Sequence, residues 1–328
     1  MVLNKLNLQP APNADFSYWK LSPVSKRKVC LIGQNGFLGG AILRQHPGLV
    51  RSANIDILDR RQVQKMISEL KPEIIINAAG KTGKPNVDWC EVNQAETSAT
   101  NVGGPALLAE ECSRNGILLV QFGTGCMYSG DNGGVGFSED SPPNFFGSHY
   151  SRTKVELERV LEGFPVLLLR PRMPFNGSNH FRNLIVKLSG YKSVVDVPNS
   201  ITSVDDLISA MWHLIQKGAT GKFNIVNDGV ISPSEIADLY QEIIDPQHKF
   251  ESISAKQLDR LTLAARSMCV LSGKKLNDTG WIMPPVHVAV RKALEQFKSS
   301  SLNVEGLKRK PVTMTAFQSE THIENVGV

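Results

Sequence analysis

The apolar run Val29–Ile32 reads as a buried central strand, and the glycine-spaced residues after it constrain the fold more than any other stretch of the chain. The run breaks at Gly33, and Gly36 and Gly39 come before the helix-like residues 41–46. Strand, glycine turn and helix start together form a phosphate cradle. Gly33 permits a tight turn, Gly36 lets the backbone approach a pyrophosphate, and Gly39 lets the helix pack close to the sheet. The helix N-terminus adds free N–H groups and a partial positive charge. The spacing is GxxGxxG, not the GxGxxG fingerprint, and glycines also mark ordinary turns. Its place at the first apolar strand points to dinucleotide binding.

The same alternation continues along the chain. Residues 53–58 read as a second strand region ending at Asp59, which is placed to cap a helix over Arg60–Leu70. A buried strand over 73–80 ends in small residues, a helical pattern covers 93–115, and residues 117–122 form the next strand. A loop with five glycines then leads to a helix over 150–164 and a strand over 166–170. Apolar strands alternating with amphipathic helices predict an α/β fold with a parallel sheet covered on both faces. Ligands of such sheets bind beyond the carboxyl ends of the strands, where Gly33, Asn77, Gly80 and Thr124 all fall.

Beyond Pro174 the texture changes. Helical patterns at 181–188, Val204–Gln216, 232–244 and 285–297 are separated by short strand-like pieces at 194–197 and 222–226. The chain thus divides into an N-terminal extension (1–27), a dinucleotide-binding domain (28–174), a smaller mixed substrate lobe (175–299) with some segments returning to the main sheet, and a disordered tail (300–328).

Composition excludes several classes. The net charge of +5 over 328 residues is spread along the chain, without a basic stripe interleaved with aromatics, which argues against nucleic acid. No stretch approaches the length of a membrane span, and the first 21 residues lack the apolar core of a signal peptide. Five cysteines without CxxC spacing argue for a reducing, cytosolic compartment and against zinc or a disulfide framework, and no metal ligands are expected.

Tyr150 and Lys154 place a phenol and an ammonium one helical turn apart on the same face. A positive charge there favours phenolate, so Lys154 is expected to lower the Tyr150 pKa toward neutrality. Thr124 supplies a hydroxyl for a substrate carbonyl beside Tyr150, and Asn101 is expected to fix a helix or a water chain near Lys154. The bland alternatives are a solvated helix face, a threonine closing its own turn and a locally bonded asparagine.

Gly33, Gly36 and Gly39, with Asn77-Ala78-Ala79-Gly80, Thr124 and the Tyr150–Lys154 pair, resemble the extended short-chain dehydrogenase/reductases. Asp56-Ile57-Leu58-Asp59 resembles their dTDP-4-dehydrorhamnose reductase branch. Residues 77–91, Thr124-Gly125-Cys126, Pro143-Asn144, Arg172-Met173-Pro174 and residues 197–200 are similar to the plant-type bifunctional UDP-4-keto-6-deoxyglucose 3,5-epimerase/4-reductases.

The resemblance spans about residues 28–297 and implies a Rossmann-type doubly wound sheet with NAD(P)H on the glycine turn. It implies cofactor contacts from Gly33, Asn35, Gly36, Phe37, Leu38 and Gly39, from Asp56 and Ile57, from Asn77, Ala78 and Ala79, and from Tyr150 and Lys154. It implies a nucleotide 4-keto-6-deoxyhexose bound by Lys84, Asn86, Thr124, Cys126, Arg172, Asn199 and Arg266. It implies that hydride goes to carbon 4 while Tyr150 protonates the oxygen, and that Cys126 and Lys187 give a second activity, epimerisation at carbons 3 and 5. Gln34 stands where plant-type members carry an arginine, leaving NADPH and NADH both open. Met268-Cys269 replaces expected polar residues, leaving UDP and dTDP both open. Two other readings remain: a non-catalytic regulatory subunit, like the methionine adenosyltransferase beta subunit, and an epimerase or dehydratase that retains its nicotinamide. The latter lacks its sign, an acidic pair beside Thr124. A homo- or hetero-oligomer with a related subunit is also left open.

Overall fold

The computed structural model describes residues 26–84 and 86–302. The expected extension lies outside the described residues up to residue 25; the expected tail lies outside them beyond residue 302, and its first residues, 300–302, are helical instead of disordered. The apolar run becomes β1 (Val29–Ile32), buried throughout, and the glycine turn leads into α1 (Phe37–Gln45). After β2 (Val50–Ala53) comes α2 (Arg60–Leu70), whose N-cap Asp59 accepts from the N–H groups of Arg61 and Gln62. β3 (Ile74–Asn77) is again fully buried. α3 (Asp88–Val92) and α4 (Gln94–Ser98) precede a π-helical turn, Ala99–Gly103, which runs into α5 (Gly104–Arg114). β4 (Leu118–Phe122), α6 (His149–Val160) and β5 (Val166–Pro171) complete this half.

The second half runs β6 (Pro174–Phe175), α7 (Leu184–Ser189), β7 (Ser193–Val195), β8 (Thr202–Ser203), α8 (Val204–Gln216), β9 (Gly221–Ile225), α9 (Pro233–Ile243), β10 (Glu251–Ile253), α10 (Ala255–Asp259), α11 (Lys274–Asn277) and α12 (Val286–Leu302).

Six parallel strands form one sheet in the order β2-β1-β3-β4-β5-β9. Such a sheet is stable only with both faces covered, which is why its central strands are apolar without alternation. On one face α1 and α8 bring Ala41, Ile42, Leu207 and Met211 to the sheet. On the other, α2, α5 and α6 bring Val63, Met66, Leu108 and Leu157. A separate core, around Phe175, Ile185, Ile236 and Leu294, gathers α7, α9 and α12 into a second lobe. The order reverses between β1 and β3, so a crevice opens there at the carboxyl ends of the strands. No helix of the described residues is long and apolar enough to cross a membrane.

Several element boundaries differ from those the sequence predicts. The strand lies at Val50–Ala53, not 53–58. Residues 54–58 turn instead: the Asp56 carboxylate accepts from Leu58 N at 2.9 Å, and Ile57 plugs against α5, where a Cβ on Gly104 would sit 2.5 Å from it. The apolar alternation of 53–58 thus serves helix packing. The helix expected over 93–115 runs without a gap from Gln94 to Arg114 but loosens into the π turn, where Pro105 has no N–H for the Asn101 carbonyl. The helix expected from 181 starts at Leu184, capped by Asn183 Oδ1 accepting from Ile185 N at 3.2 Å, which leaves Phe181 and Arg182 in a loop. Residues 221–225 return to the main sheet as β9 beside β5.

Candidate active site

The glycine turn is tied by Gly36 N donating to Gly33 O at 3.0 Å. Gly33 has φ +85°, and a Cβ there would lie 2.5 Å from Ala79 N. At Gly36 a Cβ would meet only Gly33 O, at 3.3 Å, and Ala78 O, at 4.0 Å. The space above the turn is therefore open to a phosphate group, and the N-cap Gly36 supplies no side chain to occupy the first N–H groups of α1. Asn35 is exposed on the turn, Phe37 is buried and Leu38 is half-buried. Asp56 is exposed beyond β2 and Ile57 is buried. Asn77 is fully buried: it donates to Gln121 Oε1 at 2.8 Å and accepts from Ala79 N at 3.1 Å, which fixes the half-buried Ala78 and Ala79 beside the turn. These groups can hold a dinucleotide.

Past the carboxyl end of β4, Thr124 Oγ1 accepts from Cys126 N at 3.1 Å and its hydroxyl also meets the Tyr150 phenol. Ser148 caps α6 and places Tyr150 and Lys154 in the first two turns. Lys154 Nζ donates to Phe122 O at 3.2 Å and stands 5.9 Å from the Tyr150 ring centroid. The expectation of a lowered Tyr150 pKa is not met. Burial, with Cys126 adding to it, pushes the phenol up, while Thr124 and Arg182 pull the other way. Lys154 is itself lowered to about 8 by burial, against the pull of Glu158. Burial disfavours the charged form of each group and outweighs the neighbours that favour it. Asn101, in the π turn, accepts from Lys81 N at 2.8 Å and donates to Thr153 Oγ1 at 3.2 Å, so it fixes α6 one residue from Lys154.

Lys187 faces this cleft from α7. Burial lowers its pKa first, then Arg182 and Arg266, while Cys126 raises it, which puts Lys187 within electrostatic reach of all three. Cys126 is half-buried. Lys84 lies over Phe181, 5.3 Å from the ring centroid, and Asn86 Oδ1 accepts from Asp88 N at 2.8 Å. Arg266 is bound by both oxygens of Asp88, at 2.8 and 2.9 Å. Arg172 and Asn199 are each 1% exposed and bond one another, and Arg172 Nη1 also donates to Cys126 Sγ at 3.2 Å.

Some of the cleft escaped sequence reasoning. Phe37 stacks on His180 with centroids 5.0 Å apart, and His180 stacks on Phe181 at 4.8 Å. This three-ring bridge joins the glycine turn to the second lobe. Arg182 lies 5.1 Å from the Phe181 centroid. Nothing in the local sequence distinguishes these residues, because their contacts come from elements far apart in the chain.

The RmlD substrate binding domain model matches residues 27–299. The chain is 38% identical over 260 residues to the trifunctional UDP-glucose 4,6-dehydratase/UDP-4-keto-6-deoxy-D-glucose 3,5-epimerase/UDP-4-keto-L-rhamnose-reductase of Arabidopsis thaliana, covering 76% of this chain and 39% of that protein. It is 37% identical over 265 residues to the bifunctional dTDP-4-dehydrorhamnose 3,5-epimerase/dTDP-4-dehydrorhamnose reductase of the same plant, covering 78% of this chain and 88% of that one. The crystal structure of the L780 UDP-rhamnose synthase from Acanthamoeba polyphaga mimivirus superposes with a TM-score of 0.77 at 31% identity, over 82% of this chain and 99% of that one.

Proposed function

The chain belongs to the RmlD substrate binding domain family, and from that premise we propose that it is an NADPH-dependent reductase of a nucleotide-linked 4-keto-6-deoxyhexose, with 3,5-epimerase activity in the same cleft. The product is a nucleotide-linked rhamnose. Residues 28–174 form the dinucleotide-binding domain in this reading, and 175–299 the substrate lobe, less β9 and α8, which pack with the sheet.

One juxtaposition carries the reading: Thr124, Tyr150, Lys154 and Cys126 meet at the end of β4, and Lys187 faces them from α7. Thr124 and Tyr150 bracket the carbon 4 ketone oxygen. The bound cofactor supplies a hydride for carbon 4. Tyr150, kept protonated by burial, delivers its proton to the oxygen as general acid. Lys154 then balances the phenolate charge and returns a proton. The protons on carbons 3 and 5 are acidified by the same ketone, so Cys126 and Lys187 exchange them, one as base and the other as acid. Burial and two neighbouring cations make Lys187 release its proton more readily than a free lysine. Lys84, Asn86 and Arg266 hold the nucleotide side of the substrate.

The test is oxidation of NADPH, with NADH in parallel, by UDP- and dTDP-4-keto-6-deoxyglucose, with products identified by NMR. Oxidation with a rhamnose-configured product is expected. No oxidation with either sugar would refute the reductase. Deuterium incorporation at carbons 3 and 5 without reductant reads the epimerase separately.

A further inference from the structure

Arg172 lies just beyond β5 and is 1% exposed. A guanidinium withdrawn from water is costly unless an anion or a full set of acceptors compensates. Arg170, equally buried, has its anion: Nε meets Glu158 Oε1 at 2.7 Å and Nη2 meets the other oxygen. Arg172 has no carboxylate among the described residues. Nη2 donates to Asn199 Oδ1 and to Ser267 O at 2.6 Å, and Nη1 donates to Ser267 Oγ at 3.1 Å and to Cys126 Sγ at 3.2 Å. Its Nε has no partner among the described residues. Three of these acceptors stay neutral at any ordinary pH. The sulfur alone can become an anion.

Both partners are held for this contact. Cys126 N donates to Thr124 Oγ1 at 3.1 Å, and its carbonyl accepts from Ser151 Oγ at 2.6 Å, so little beyond the side-chain rotation of Cys126 is left free. Asn199 is anchored in turn, accepting from Cys269 N at 2.9 Å and donating to Val197 O at 2.9 Å. The charged and titratable groups facing Cys126 come from four directions: Arg172 beyond β5, Tyr150 and Lys154 on α6, Lys187 on α7, and Cys269 in the segment before α11.

We propose that Arg172 is a positioning residue for Cys126, orienting its sulfur toward the cleft and pairing with its thiolate. A thiolate, not a thiol, is the form that can take a proton from carbon. The buried positive charge and the proton acceptor are thus one unit. Its catalytic meaning rests on the epimerase reading, but the pairing itself is measurable without substrate.

The experiment is alkylation of the full chain by iodoacetamide across a range of pH, with the Cys126 peptide quantified by mass spectrometry. The other four cysteines are buried, so labelling reports Cys126. Arg172→Met is expected to slow labelling at neutral pH about tenfold and to move the rate profile toward higher pH. Arg172→Lys, which keeps the charge, is expected to stay close to wild type. Asn199→Asp sets a carboxylate against the same guanidinium and is expected to move the profile upward with the arginine still in place. That variant decides the matter where Arg172→Met does not fold. Superimposable profiles for wild type and Asn199→Asp would overturn the pairing, and so would a uniform change in rate with no shift along the pH axis. A wild type that labels as expected yet incorporates no deuterium at carbons 3 and 5 would refute the epimerase reading and leave the pairing standing.

Discussion

Lys154→Met should make the protein more stable at neutral pH while abolishing most of the proposed reductase activity. Lys154 is 5% exposed, and its pKa falls from 10.5 to about 8, chiefly because burial disfavours the ammonium. That difference is worth about 3 kcal/mol against the folded state wherever both states are protonated. Methionine fills a similar volume without a charge. The variant loses the bond to Phe122 O, but that carbonyl keeps Gln121 Nε2 at 3.1 Å, so the loss is about 1 kcal/mol. A net gain of about 2 kcal/mol at pH 7 results. The sign with pH is fixed by linkage. The folded pKa lies below the unfolded one, so between them the unfolded state binds more protons and wild-type stability rises with pH. The penalty is fully present below about 8 and is gone above 10.5. Urea unfolding of both proteins at about pH 7 and about pH 9.5 should show the gap closing by about 2 kcal/mol, since the Tyr150 contribution is common to both. A variant less stable than wild type at pH 7, or a gap that ignores pH, would refute the reasoning.

Tyr150→Phe removes the proposed proton donor and should cut reduction by roughly a hundredfold or more, with NADPH affinity retained in a fluorescence titration. Gly36→Val should fold, since a Cβ there meets protein atoms no closer than 3.3 Å, yet its branches fill the phosphate space, so the same titration should show binding lost. Cys126→Ser and Lys187→Ala should each lose deuterium incorporation at carbons 3 and 5, followed by NMR, and still reduce a substrate already epimerised.

The sheet was legible because each central strand is buried on both faces and must be apolar along its whole length. The helix Arg60–Leu70 was legible to the residue, because Asp59 caps it locally and Lys71 closes it in a left-handed conformation with φ 46°. The failures have the opposite cause. Ile55 and Ile57 alternate like a strand, but they pack beside α5, half the domain away in sequence. The return of a second-half segment to the main sheet was foreseen, but not its place: β9 joins β5 by a register set across more than 50 residues.

The site divides along the same line, between local spacing and depth of burial. The Tyr150–Lys154 spacing is a property of one helix and was readable; its electrostatic consequence is set by what surrounds that helix, and it came out reversed. Burial holds the phenol in its neutral form. That reversal suits the chemistry. A general acid must carry its proton until the moment of transfer, and a tyrosine ionised beforehand would have none to give. In the proposed reaction Lys154 is needed after the transfer, to balance the phenolate that forms in this buried place. The arginines obey the same logic. Sequence spacing could not tell that Arg266 meets Asp88 across 178 positions, or that Arg172 meets Ser267 across 95. Of the two, the one held by a carboxylate is neutralised where it stands. The one held only by neutral acceptors keeps an unmet demand for negative charge, and Cys126 is the side chain placed to meet it.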